Sequence, residues 1–192
     1  FNAENCETMG HLSSPVFKEC TALSSVVIGD KVKNIPDDVF AYCSGLTSVT
    51  IGNSVASIGA YAFCDCHGLK SITIPNSVTS IEENAFINCT GLASVEFNAE
   101  NCTTIGEDSP AFRGCTALSS VVIGDKVKTI PNYAFYDCSG LTSLIIPDSV
   151  ASIGKYAFRG CTGLTSITSK NTTPPVCGSY AFKSVDINIP LI

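Results

Sequence analysis

Leu46, Val49 and Ile51 point one way along the chain while Ser48 and Thr50 point the other, and this alternation returns every 23 residues or so. Alternating apolar and polar positions rich in β-branched residues predict a short strand with one buried face. Gly52-Asn53-Ser54, or Pro75-Asn76-Ser77 in the next copy, then turns the chain. Val55 and Ile58 face the core again on the return limb. Ala62-Phe63 with Cys66 predicts a single helical or 3₁₀ turn, because Phe and Cys at i and i+3 share one face. The unit closes on Cys43-Ser44-Gly45-Leu46, where glycine is expected to supply a left-handed residue and the hydroxyl to cap a loose backbone group.

Phenylalanine marks the period, at 17, 40, 63, 86, 112, 135, 158 and 182, with spacings of 23, 23, 23, 26, 23, 23 and 24. A cysteine follows the first seven by three residues and a leucine follows each cysteine by three more. A fixed period in the twenties means a solenoid. The expected fold is an α/β-type, strand-rich repeat solenoid of about eight turns, a rod of about 38 Å at strand spacing. It forms a single unit over 1–192, because each turn packs only on its neighbours. Residues 1–22 are an incomplete first turn, 23–168 regular turns and 169–192 a C-terminal capping turn. Thr116–Asp125 repeats Thr21–Asp30 letter for letter, four turns apart, which points to duplication of a block.

Composition narrows the function classes. Hydrophobic residues at 45% against 15% charged supply a continuous core, and a net charge of −6 argues against a nucleic-acid footprint, which needs a basic face. No apolar run reaches membrane-spanning length, so no insertion within this chain is expected. Phe1-Asn-Ala-Glu-Asn-Cys returns at Phe97, so the chain opens inside a repeat and is expected to be a mature product or a piece of a longer array.

Eleven cysteines invite a disulfide or metal reading. Register argues against both. Seven occupy one inward rung, Cys6 and Cys102 fall on the rung of Val55, and Cys177 on that of Ile58, so ten are expected to be small buried free thiols. Cys64, in the column of Lys18, Ala41, Ile87, Arg113, Tyr136 and Arg159, is expected to be exposed, either reactive or a drifted letter in a tolerant column. Cys64-Asp65-Cys66-His67 has metal-like spacing, but Cys66 belongs to the buried rung; no metal and no cofactor is expected. His67 replaces a capping hydroxyl and His11 lies in the irregular Met9–Phe17 stretch, neither with a fixed catalytic neighbour. Glu82-Glu83 reads as a solvated edge. The chain is expected not to be an enzyme.

The outward columns are more informative. One reads Ser25, Ser48, Ser71, Ser94, Ser120, Ser143, Ser166, and the next Val27, Thr50, Thr73, Glu96, Val122, Ile145, Thr168. Together they form a hydroxyl-rich face with apolar patches, either a binding face or simply residues suited to an exposed strand and copied by duplication. Tyr61, Tyr133, Tyr156 and Tyr180 form another column, open to an interface role or to packing over the next turn. Extra residues fall around 98–101 and 107–110, and the Glu107-Asp108 pair makes that loop a second candidate for docking.

The phrase Leu-Thr-Ser-Val-Thr-Ile-(Gly/Pro)-Asn-Ser-Val-x-Ser-Ile-x-x-x-Ala-Phe-x-x-Cys-x-Gly, repeated over essentially the whole chain, resembles the BspA-like class of bacterial leucine-rich repeats. It differs from the usual leucine-rich pattern in lacking an Asn ladder after the strand; the Cys and Phe rungs take that place. The resemblance implies a right-handed superhelix with a concave parallel sheet, in a secreted or cell-surface protein. It also implies adhesion to an extracellular-matrix or other host or bacterial surface protein or glycan, with no shared catalytic residues. The competing expectation is a passive stalk or spacer within a longer surface protein.

Overall fold

The outward serine and the inward Val, Ile or Leu after it begin a four-residue strand in every turn. These strands are β1 (Ser25–Ile28), β3 (Ser48–Ile51), β5 (Ser71–Ile74), β7 (Ser94–Phe97), β9 (Ser120–Ile123), β11 (Ser143–Ile146) and β13 (Ser166–Ser169). The return limbs form two-residue strands, β2 (Asn34–Ile35), β4 (Ser57–Ile58), β6 (Ser80–Ile81), β8 (Thr104–Ile105), β10 (Thr129–Ile130), β12 (Ser152–Ile153) and β14 (Val176–Cys177). The computed structural model describes residues 16–106 and 109–186. All pairings are parallel, each strand meeting its counterpart one turn on, Ser71 against Ser94 and Ser143 against Ser166.

The register locates the extra residues. Ser57 pairs with Ser80, 23 on, whereas Ser80 pairs with Thr104, 24 on. Ser94 pairs with Ser120, 26 on, so one extra residue falls before β8 and two between β8 and Phe112. There the small-strand sheet breaks into β2-β4-β6-β8 and β10-β12-β14.

Inside, the phenylalanines stack ring on ring from Phe17 to Phe182, centroids 5.0 to 5.6 Å apart. Each buried ring contributes about 1.5–3 kcal/mol by burial and about 1 kcal/mol by stacking. The cysteine rung is more than filler. Cys66 Sγ lies 3.2 Å from the Phe40 carbonyl, and the contact recurs for Cys89 with Phe63 at 3.1 Å and Cys161 with Phe135 at 3.2 Å. The Phe40 carbonyl already accepts the Cys43 N–H, so the thiol one turn on donates to its second lone pair.

Four expectations need correcting. The segment around Phe63 is not a helical or 3₁₀ turn, and the described residues contain no helix. Tyr61 and Asp65 flank Phe63 at φ of 56° and 54°, left-handed values that a right-handed helix cannot hold. Alternate N–H groups, of Tyr61, Phe63 and Asp65, donate instead to Glu83, Ala85 and Ile87 of the next turn. This flank thereby becomes another ladder between turns. The closing glycine has a different reason from the one expected. The left-handed residue is the one before Cys (Asp65, Asn88, Gly114), whereas a Cβ at Gly68 or Gly91 would strike the carbonyl of Ser44 or His67 in the turn below. Cys64 is buried, 4% exposed, because Tyr42 and Asp65 cover so short a side chain. Cys177 keeps the predicted register against Ile153 yet is exposed, since it lies in the last turn described. Cys6 and His11 lie outside the described residues.

Candidate functional site

The serine and threonine columns stand where the alternation puts them. Ser48 and Thr50 pair with Ser25 and Val27 on β3 and β1. Ser71, Ser94, Ser120, Ser143 and Ser166 run side by side across β5 to β13, beside Thr73, Glu96, Val122, Ile145 and Thr168. Ser94, Ser166 and Thr168 are half-buried and the others exposed. Glu107 and Asp108 lie outside the described residues.

Structure adds a break in this face. The long-strand ladder divides into β1-β3 and β5-β7-β9-β11-β13. At other steps the residue after the strand donates its N–H to the previous turn, as Asn98 does to Ile74 at 3.0 Å and Gly124 to Phe97 at 2.8 Å. Pro75 holds that place beside β3 and has no N–H to give. Pro147 has the same deficit, and there the β9–β11 pairing ends one residue early. Over the ends of these strands, from β3 to the turn after β9, lies a cavity of about 560 Å³. Thr50, Thr73, Asn76, Asn98 and Lys126 are among its lining residues, contributed by four successive turns. Lys126 was not singled out from sequence, and Asn98 only as the start of a stretch with extra residues; both belong to the strand-end turns, which read there as chain reversal.

Along the second column the chemistry divides. On the β5–β7 side Glu96 is fixed at both oxygens, by the Thr73 hydroxyl at 3.1 Å and the Asn98 amide at 3.0 Å. On the β9–β11 side Val122 and Ile145 stand side by side and open to solvent, 55% and 52% exposed. One face thus offers an ordered carboxylate beside an apolar strip, a combination suited to a mixed polar and apolar partner surface.

Nothing comparable forms around the reactive side chains. His67 lies 3.8 Å from Asp65 and 3.2 Å from Thr90 Oγ1, a superficially triad-like line. Its Nδ1, however, is 3.0 Å from the Asn88 carbonyl, which requires the proton on that nitrogen and removes it as a base toward Thr90. Asp65 is also the acceptor of the Cys64 thiol at 2.9 Å. Burial first, then that carboxylate, pushes Cys64 up to about 12, so the thiolate needed for reactivity is scarce at neutral pH. Among the described residues no three metal-binding side chains converge, and no helix is long and apolar enough to cross a membrane.

The described geometry has clear relatives. The family described as "BspA type Leucine rich repeat region" matches in six copies, over residues 10–140 and 100–190. A leucine-rich repeat protein of Treponema pallidum is 30% identical, covering 79% of this chain and 69% of its own, at a TM-score of 0.65. A leucine-rich repeat protein of Bacteroides ovatus is 25% identical over 88% of this chain, at a TM-score of 0.56. This chain spans 54% of that protein's length. A comparison with proteins of curated function found no match.

Proposed function

Because this chain belongs to the BspA-type leucine-rich repeat family, we propose that it is a non-enzymatic adhesion-type module of a secreted or cell-surface bacterial protein. It presents its long-strand face to an extracellular-matrix or other surface protein or glycan. The observation that carries this reading is the 560 Å³ cavity over the ends of β3 to β9, beside a fixed carboxylate and an exposed apolar strip. The contact set on this reading is Ser48, Thr50, Ser71, Thr73, Ser94, Glu96, Ser120, Ser143, Ser166 and Thr168, with Glu107 and Asp108 contributing from their loop. A single solenoid over 1–192, capped by 169–192, makes these contacts act as one rigid surface.

The test is solid-phase binding to a panel of matrix proteins and glycans, with the Ser71→Arg/Thr73→Arg variant alongside. Both side chains are exposed, so the variant is expected to fold. Saturable binding that falls at least tenfold in the variant is the expected result. Binding unchanged in the variant refutes the long-strand face as the site, and no binding at all favours the passive stalk.

A further inference from the structure

The repeat contains a second cavity, on the side formed by the phenylalanine turns, and its lining is unlike the rest of the molecule. It measures about 340 Å³ and is lined by Tyr133, Tyr136, Tyr156, Arg113, Arg159, Asp137 and Pro110. The whole acidic chain has two arginines, and both are here. Arg159 lies between rings, 5.3 Å from the centroid of Tyr136 and 5.2 Å from that of Tyr156. Tyr133 in turn sits 5.2 Å from Tyr156 and 5.9 Å from Tyr136. Lys155 adds a further cation, 4.8 Å above Tyr156.

Duplication does not explain this cluster, because the duplicate lacks it. Ninety-five residues earlier the same places hold Lys18 for Arg113, Asp38 for Tyr133, Ala41 for Tyr136 and Cys64 for Arg159. There the cation is neutralised within the chain, Lys18 lying 3.0 Å from Asp38. In the later block tyrosine replaces that aspartate. Among the described residues the close cation–carboxylate contacts are Lys18–Asp38 and the imidazole of His67 with Asp65, so neither guanidinium enters one. A guanidinium laid against aromatic rings is held in place while its N–H edge remains available for a carboxylate or sulfate.

We propose that this cavity is a binding subsite for an anionic sugar residue, a uronate or sulfated unit of an acidic glycan. Its volume is near the lower end for small-ligand sites, the scale of one or two sugar rings. Tyrosine rings offer flat apolar platforms for the C–H face of a sugar, and Arg113 and Arg159 bind its acid group. An extended peptide is the poorer fit, since it would dock by main-chain bonds. The backbone here is already committed, Tyr133, Phe135 and Asp137 donating to Lys155, Ala157 and Arg159 at 2.9, 2.7 and 2.7 Å. The subsite lies on a different side from the long-strand face and does not depend on that reading.

The test titrates the intact chain with oligogalacturonate (carboxylate only), a dextran sulfate oligosaccharide (sulfate only) and maltotetraose (neutral), followed by calorimetry. Tyrosine fluorescence gives a second readout, since the chain has no Trp and three of its six tyrosines line the cavity. At least one anionic probe is expected to bind tenfold or more above maltotetraose and to weaken as salt rises. Whichever binds identifies the acid group. Arg113→Ala with Arg159→Gln is expected to cost at least tenfold, while Lys18→Ala leaves the affinity unchanged. Tyr156→Ala, made separately and checked for the same far-UV spectrum, is expected to weaken binding and reduce the fluorescence change. The proposal is overturned if neither anionic probe exceeds the neutral one. It is equally overturned if the arginine variant binds like the parent, or if an acidic peptide of equal charge displaces the glycan more tightly than the glycan binds.

Discussion

Residues 18–66 and 113–161 are two copies of one stretch, alike along the Phe, Cys and Leu rungs and different mostly elsewhere. Phe40 and Phe135, Cys43 and Cys138, Leu46 and Leu141 are identical pairs, all fully buried. Outward letters have moved, Lys18 to Arg113, Asp38 to Tyr133 and Thr50 to Ile145, and the covered Cys64 has become Arg159. In a stacked array each inner side chain touches its own counterpart above and below, so a core change must suit two neighbours at once. Outer columns carry no such restraint. An ion pair in one copy and an aromatic-cationic cavity in the other are therefore a difference of use, built on one scaffold.

The largest effect should come from the part the copies share. Phe40→Ala and Phe135→Ala are each expected to cost about 3–5 kcal/mol in urea unfolding, since either opens a ring-sized hole in the stack. A cost confined to one of them would mean that the two copies are not equivalent inside. Phe182→Ala, in the last turn described and only partly buried, should cost less.

Alkaline pH should loosen both copies together. Burial raises Cys64, Cys66, Cys102 and Cys161 to about 12 in the fold, from an ordinary value of 9.0. Between those values the unfolded chain has lost the proton and the folded one has kept it, so stability falls as pH rises. It is intact below about pH 9, and each thiol then removes about 1.4 kcal/mol per pH unit up to about 12. The urea midpoint measured from pH 7 to 10.5 should be flat and then drop, less steeply in Cys161→Ala. A slope unaltered by that substitution would remove the thiols from the account.

A smaller effect separates two successive turns at the closing glycine. Gly91→Ala drives a Cβ into the His67 carbonyl and should cost about 1–3 kcal/mol. The same place in the turn with the extra residues already holds Ala117, exposed, and Ala117→Gly should cost less than about 1 kcal/mol. Equal costs would show that the extra residues do not relax the contact between turns.

The solenoid was legible because its signals are periodic and local. Alternation at Ser48–Ile51 set the strand, the Phe and Cys spacing set the turn, and the interval from Phe86 to Phe112 revealed the extra residues. The turn around Phe63 was misread because Phe and Cys three apart is also a helical spacing, and no letter in Tyr-Ala-Phe-Cys-Asp announces two left-handed residues. Cys177 followed its predicted register, yet exposure depends on what lies over a side chain, which register alone does not say.

By itself, then, the sequence determined the period, the inward rungs and the outward columns, because stacking copies of one unit needs only each residue's place in that unit. Tertiary structure alone decided where the ladder parts beside Pro75, which thiol Tyr42 and Asp65 cover, and that both arginines share one cavity with three tyrosines. Those outcomes are set between turns. They depend on which side chains from different copies meet across a gap of about 5 Å, and the letters of a single repeat do not contain that information.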